Sequence, residues 1–307
     1  MASLPGILLR SDSAEFGDRV FYVEYGRRHW VRDASWLAKN GFRWPDDVLM
    51  VPESVLKSYA NGSAAPLRSG ADLDWLGEAA DSTDVREVLA SELRGTGIEF
   101  GSGASPFPIP LECHTLYADA YSYATLRDNL YPGQTLTQIV RPDFVTNLQT
   151  LDGIADESLD FVVACHVIEH TVSPITALQS CYRALRPGGQ LLLVVPDMQK
   201  TFDSGREKTP LSHLIEDHQH PDAARDLGHF IEFFSKALPV PEGRPLREFA
   251  EEKQRAHADI HYHCWDYESF GQMVAWITEN VAPWSAVWSH PTLPGDGNIE
   301  FYFRLTK

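Results

Sequence analysis

Gly97-Ile98-Glu99-Phe100-Gly101-Ser102-Gly103-Ala104-Ser105-Pro106-Phe107 reads as an apolar strand that ends on an acid and then turns through two closely spaced glycines. Such a turn lets the backbone approach a ligand's ribose and polar tail without interference from a Cβ. A dinucleotide fingerprint would place a third glycine at the start of a helix under the pyrophosphate, but here that place holds Pro106, followed by Pro108 and Pro110. The run therefore favours a ligand without phosphates.

Downstream of this turn, strand patterns alternate with helical ones, which predicts an α/β fold with a doubly wound, mostly parallel sheet covered on both faces. The second strand runs through Cys113-Tyr117 and ends at Asp119, twenty positions after Glu99. An acid at that strand edge can accept hydrogen bonds from ribose hydroxyls. Ser158-Cys165 is a buried fourth strand; Ser173 caps a helix that has Pro174 in its first turn and Ile175, Leu178, Tyr182 and Leu185 on its apolar face. That helix is expected to stop at Pro187-Gly188-Gly189, with Gln190-Pro196 following as a fully buried fifth strand. After Asp266 an amphipathic helix carries Phe270, Met273, Val274 and Ile277, and strands near Ser285-Ser289 and Ile299-Leu305 close the sheet as an antiparallel hairpin around Pro294-Gly297.

The N-terminal part reads as a small accessory domain over residues 1–62. Val20-Val23 and His29-Val31 form a hairpin turning at Gly26, Ala34-Lys39 is a helix stopped by Asn40-Gly41, and Trp30, Trp36, Phe42 and Trp44 are either its small core or a binding surface. The tract Asn61-Pro66 is a linker, residues 63–94 hold linker and a helix around Asp84-Leu93, and residues 95–307 form the main domain, with an insertion at about 198–262.

Composition narrows the class of partner. The chain has 307 residues, 43% hydrophobic and 22% charged, enough for one large core and a small second domain. Its formal charge of -17 at pH 7 repels phosphate backbones and anionic membrane surfaces, so neither nucleic acid nor membrane is expected as a partner. Cys113, Cys165, Cys181 and Cys264 are far apart, which suggests neither disulfides nor a zinc ribbon and predicts a reduced, cytoplasmic setting. Neither a signal peptide nor a membrane span is expected.

With the strand-end element His166-Val167-Ile168-Glu169-His170 and the turn Leu185-Arg186-Pro187-Gly188-Gly189 added in the right order, the chain resembles the class I S-adenosylmethionine-dependent methyltransferases, of the type 11 kind. The resemblance covers roughly Gly97 to Lys307 and implies a Rossmann-like fold with S-adenosyl-L-methionine as cofactor. It implies that Glu99, Gly101 and Gly103 hold the methionine end, Asp119 the ribose, and Asn147 and Leu148 the adenine, with Cys165 and His166 lining the cofactor and facing the acceptor. Asn147 stands where the family often has an acid, and the Pro106-Pro110 run replaces the usual helix after the first loop.

Methyl transfer from a sulfonium needs mainly alignment and desolvation, and a base matters only for the acceptor. Histidine suits that task because its ordinary pKa of about 6.5 lies near working pH. The expected catalytic candidates are His170, Asp203, His213 and His229, and the expected acceptor-binding residues are Asp197, Lys200, Arg206, His261 and His263. His261 and His263 alternate on an expected strand and would share a face. His213 and Asp217 stand four apart, on one face if helical, which suits an oriented base, half of a metal site or a solvated surface; no metal centre is assigned.

The segment from Pro196 through Arg206 to Asp217 resembles methyltransferases of polysaccharide and secondary-metabolite biosynthesis, which implies a polar, hydroxyl-rich or amine-bearing small-molecule acceptor. Three readings compete with methyl transfer. One is the same fold and cofactor serving a non-methylating displacement such as ring closure. Another is a non-catalytic cofactor-binding subunit that docks a protein partner or a second copy through the N-terminal domain. The third, a nicotinamide dehydrogenase, is disfavoured by Pro106.

Overall fold

The computed structural model describes residues 7–17, 19–24, 27–31, 34–39, 41–61, 82–132, 139–295 and 297–307. The expected turn at Gly26, the helix stop at Asn40 and the linker from Gly62 to Pro66 lie outside the described residues. The chain divides into two compact units, Met1–Val145 and Thr146–Lys307.

In the first unit, strands β1 (Ile7–Arg10), β2 (Val20–Glu24) and β3 (Arg27–Val31) are followed by helix α1 (Ala34–Lys39), β4 (Val48–Met50), α2 (Glu53–Ser58) and β5 (Ala60–Asn61). These strands make one sheet of order β4-β1-β2-β3-β5, in which β1, β2 and β3 are antiparallel neighbours. Because successive side chains on a strand face opposite ways, Leu8 and Tyr22 fill one face with Val20, Val31, Trp36, Leu37 and Leu111, while Leu9 and Phe21 fill the other with Phe16, Val23 and Leu56. Trp36 stacks on Phe42 at 6.2 Å, so these two rings are core, whereas Trp44 is 50% exposed.

Helix α3 (Ser82–Ser91) precedes β6 (Thr96–Phe100), β7 (His114–Asp119), a short α4 (Tyr123–Thr125) and β8 (Phe144–Val145). β6 and β7 are parallel with Glu99 opposite Tyr117, and β7 and β8 are parallel with Asp119 opposite Val145. The second unit runs β9 (Leu159–Cys165), α5 (Pro174–Ala184), β10 (Leu185–Pro196), α6 (Leu211–Gln219), α7 (Ala223–Lys236), α8 (Leu246–Arg255), α9 (Tyr267–Asn280), β11 (Ala286–His290) and β12 (Glu300–Thr306). Parallel β9 and β10 are followed by an antiparallel β12 and β11, the closing hairpin expected from the sequence. The seven-stranded sheet has the order β11-β12-β10-β9-β6-β7-β8, a doubly wound arrangement whose strand order reverses at β6.

Local chemistry explains the element ends. Ser173 caps α5 by accepting from Thr176 N, and Pro174 occupies the first turn. The helix stops at Ala184, three residues before the Pro187-Gly188-Gly189 stop expected from sequence: Leu185 is already extended and pairs with Leu159, so the turn falls within β10. Gly188 takes φ 80, the left-handed region open to glycine. Asp266 and Ser269 form a reciprocal capping box at the start of α9, whose Phe270, Met273, Val274 and Ile277 are buried, Phe270 against Phe301 and Phe303 of β12. Helices α6, α7 and α8 fall within the 198–262 segment, which has a small core of its own around Phe230, Phe233, Ala250 and Ile260.

Candidate active site

In the first unit, Glu99 near the end of β6 is buried and its Oε1 accepts from Phe107 N at 2.7 Å, which ties the acid to the far side of the glycine turn. Gly101 and Gly103 have φ 65 and φ 49, and Gly101 N donates to Ala118 O at 2.9 Å. A Cβ on Gly103 would stand 2.2 Å from the Tyr131 hydroxyl. Ser102, between them, has a buried Oγ with no hydrogen-bond partner among the described residues, an orphaned donor on the turn itself. Asp119 ends β7, is buried, and receives Tyr121 N at 2.9 Å. Residues 106–110 form no helix, as the prolines predict.

In the second unit, Asn147 is exposed and uses Oδ1 to accept from Thr150 N, while Leu148 is buried. Cys165 ends β9, and His166 directly after it adopts φ 54, a left-handed conformation that a residue with a Cβ rarely takes. Its backbone N is held by Val194 O.

Around Glu169 three imidazoles converge. His166 Nε2 lies 2.8 Å from Glu300 Oε2, and its Nδ1 lies 3.9 Å from Glu169 Oε1. His170 Nδ1 is 2.8 Å from Asp259 Oδ1, and its Nε2 is 3.9 Å from the same Glu169 oxygen. His261 Nδ1 is 2.6 Å from Asp203 Oδ2, and its ring meets His170 edge-on at 4.7 Å; ligand atoms of Glu169, His170 and His261 lie within 4.8 Å of one another. Each imidazole thus has one nitrogen bound to its own acid, and His166 and His170 turn the other towards Glu169. Glu169 is fully buried and both its oxygens lack a hydrogen-bond partner among the described residues. Burial works against charge on His170, but Asp259 and Glu169 outweigh it and push its pKa up to about 9, so that it keeps its proton at neutral pH.

Asp203 is itself anchored: Arg206 Nη1 donates to its Oδ1 at 2.8 Å, to His261 O at 3.0 Å, and Nε to Glu232 at 2.8 Å. Burial raises the Asp203 pKa, but His261 and Arg206 prevail and hold it below the usual carboxylate range.

A second cluster gathers His213 and Asp217 of α6, His229 of α7, and His263. His213 and Asp217 do share a helix face, with Nε2 to Oδ2 at 3.1 Å. His261 and His263 do not: residues 260–264 form no strand, and the one bridge nearby is Asp197 with Trp265. Tyr262 N is drawn instead to Glu169 O at 2.8 Å, which sends His261 to Asp203 and His263 to Asp217. The expected shared face is therefore corrected to two clusters. Burial pushes the His263 pKa down to about 3 and lowers that of His213. Of the remaining expected residues, Asp197 caps the turn after β10 by accepting from Gln199 N and Thr292 Oγ1, and Lys200 is exposed. Glu300, Asp259 and Arg225 were not singled out by sequence, since none lies in a local motif.

Residues 98–193 match the family described as a methyltransferase domain. Residues 98–193 carry a methyltransferase domain. A "Probable S-adenosylmethionine-dependent methyltransferase" of Mycolicibacterium smegmatis is 42% identical over 59 residues, 19% of this chain and 22% of the relative, so the chain spans about a fifth of the curated relative it matches. Among solved structures, a methyltransferase of Thermotoga maritima described as a possible histamine N-methyltransferase is similar at 16% identity, covering 76% of this chain and 92% of that one with a TM-score of 0.40. The CurJ carbon methyltransferase is similar at 13% identity, covering 76% and 58% with a TM-score of 0.40. The cofactor of this methyltransferase family is S-adenosyl-L-methionine. The residues fit it: the orphaned Ser102 hydroxyl on a glycine turn suits a charged amino-acid tail, Asp119 suits a ribose, and no described helix begins at the turn to favour a phosphate. No described helix is long and apolar enough to cross a membrane.

Proposed function

We propose that the chain methylates a hydroxyl or amine group of a polar small molecule, and that the Glu169 cluster is where this acceptor is recognised and deprotonated. The observation that carries this reading is a fully buried carboxylate with no hydrogen-bond partner among the described residues, flanked by three imidazoles that are each paired with an acid. A buried polar group without a partner is costly, and an acceptor's O–H or N–H would supply the missing donor.

When bound, the cofactor supplies a methyl carbon activated by a sulfonium leaving group. The chain's own residues do the rest. Glu99, Gly101, Ser102, Gly103 and Asp119 of the first unit bind and orient it. Glu169 accepts the acceptor's hydrogen bond, with protonated His170 balancing its charge. His261, held by Asp203 through Nδ1, offers Nε2 to take the proton that leaves the acceptor. The acidic, histidine-rich surroundings suit a hydroxyl-rich or amine-bearing molecule, and the resemblance of the Pro196–Asp217 segment is what suggests secondary-metabolite or polysaccharide biosynthesis. The His213 cluster serves another purpose, argued below.

Replacing Asp119 with Ala tests the cofactor assignment. Loss of a charged hydrogen bond to ribose is expected to weaken S-adenosylmethionine binding about 10- to 100-fold by calorimetry. Unchanged affinity would remove Asp119 from the site, and tighter binding of a nicotinamide dinucleotide than of S-adenosylmethionine would overturn the methyltransferase reading.

A further inference from the structure

His213, Asp217, His229 and His263 come from three separate segments of the second unit, yet their ligand atoms lie within 4.8 Å of one another. Asp217 Oδ2 has His213 Nε2 at 3.1 Å and His229 Nε2 at 3.5 Å, and His263 is the fourth member of the cluster. A tetrahedral ion with nitrogen and oxygen ligands at 2.0–2.2 Å would hold them about 3.3 Å apart, so these separations are those of a coordination shell. The cluster also contains unsatisfied polar atoms. Asp217 Oδ2, His229 Nε2 and His263 Nδ1 are all buried and without a hydrogen-bond partner among the described residues.

The outer groups are also those that ready ligands for a metal. His263 Nε2 hydrogen-bonds Val172 O at 2.9 Å, leaving Nδ1 as the free lone pair. Arg225 Nη1 donates to Asp217 Oδ1 at 3.0 Å and leaves Oδ2 turned to the imidazoles. A carbonyl on the far nitrogen and a hydrogen-bonded carboxylate are the partners that orient metal ligands. Three imidazoles and one carboxylate suit zinc or another late first-row divalent ion rather than magnesium or calcium, which prefer oxygen ligands. His213, with its side chain 35% exposed, is the one member open to solvent.

We infer that His213, Asp217, His229 and His263 form a binding site for a divalent transition-metal ion. The site is distinct from the Glu169 cluster, whose members His170 and His261 are paired with Asp259 and Asp203. The full chain, stripped with a chelator, is titrated with zinc and, as a spectroscopic probe, with cobalt(II). One ion per chain is expected, with the intense visible bands of cobalt in a low-coordinate nitrogen and oxygen site. His213→Ala, at the solvent-facing position, and the near-isosteric Asp217→Asn are each expected to lower zinc affinity at least about 100-fold, since even outer partners are worth 10- to 100-fold. Arg225→Met is expected to lower it about 10-fold. His218→Ala, which removes a histidine bonded to Thr176 outside the cluster, is expected to leave it within about 2-fold. Circular dichroism shows whether each variant is folded, and the conservative Asp217→Asn keeps the test valid should another variant misfold. Absence of stoichiometric binding, binding that survives both ligand substitutions, or binding abolished by Glu169→Gln instead would each overturn the inference.

Discussion

Asp203→Asn is expected to lower turnover about a hundred- to ten-thousand-fold, the range that a positioned acid–base group contributes, while S-adenosylmethionine affinity stays within about 2-fold. Asp203 Oδ2 receives His261 Nδ1 at 2.6 Å and thereby leaves Nε2 as the proton acceptor. An amide has nearly the same shape but can donate as well as accept, so it can hold the ring in the opposite tautomer with Nε2 already protonated. The side chain still reaches Arg206, which lies 2.8 Å from Oδ1. The loss should therefore appear in kcat rather than in KM for the cofactor. A folded variant with near wild-type turnover would show that Asp203 only supports structure and would move the proton acceptor elsewhere.

Arg206→Met is expected to destabilise the protein by about 3–5 kcal/mol, because it strands one member of a buried ion pair. Both side chains of the Arg206–Asp203 pair are nearly inaccessible, and Arg206 also satisfies the carbonyls of His261 and Tyr262. Glu232, its second charged partner, is 40% exposed and returns to water at little expense. For a unit of this size such a loss corresponds to a fall in Tm of about 6–20 °C. Replacing both partners, as Asp203→Leu with Arg206→Met, should recover most of the stability, since no buried charge is then left alone. It should not recover turnover, because His261 would have lost its orienting acid. Calorimetric melting of the three variants checks the order; a fall of less than about 1 kcal/mol in Arg206→Met would mean that the pair is solvated.

Elements whose ends are set locally were legible in the sequence. The acids at the ends of β6 and β7, Glu99 next to last and Asp119 last, the Ser173 and Asp266 caps and the apolar face of α9 follow from alternation, capping chemistry and helical spacing within a few residues. The doubly wound order follows from strands alternating with helices. His213 and Asp217 were readable as one face because α6 is regular. Partners that depend on irregular backbone were not. His261 and His263 part company because Glu169 O captures Tyr262 N where a strand would have kept alternation. Glu300 reaches His166 from a strand 134 positions away, and Asp259 reaches His170 from the end of the helical segment, without any local signature. Histidines counted along the chain gave the material for two clusters; which histidine joins which acid was set by the packing of α6, α7 and the 260–264 segment.

The most direct test of the central claim uses S-adenosylmethionine with a deuterated methyl group, incubated with the full chain and a panel of polyhydroxylated and amine-bearing small molecules. Mass spectrometry is expected to find the intact deuterated methyl on an oxygen or nitrogen of a panel member, with one adenosyl thioether released per methyl transferred, and to find neither with Glu169→Gln. Cofactor consumed without label reaching the product, or label transferred equally well by Glu169→Gln, would contradict the account.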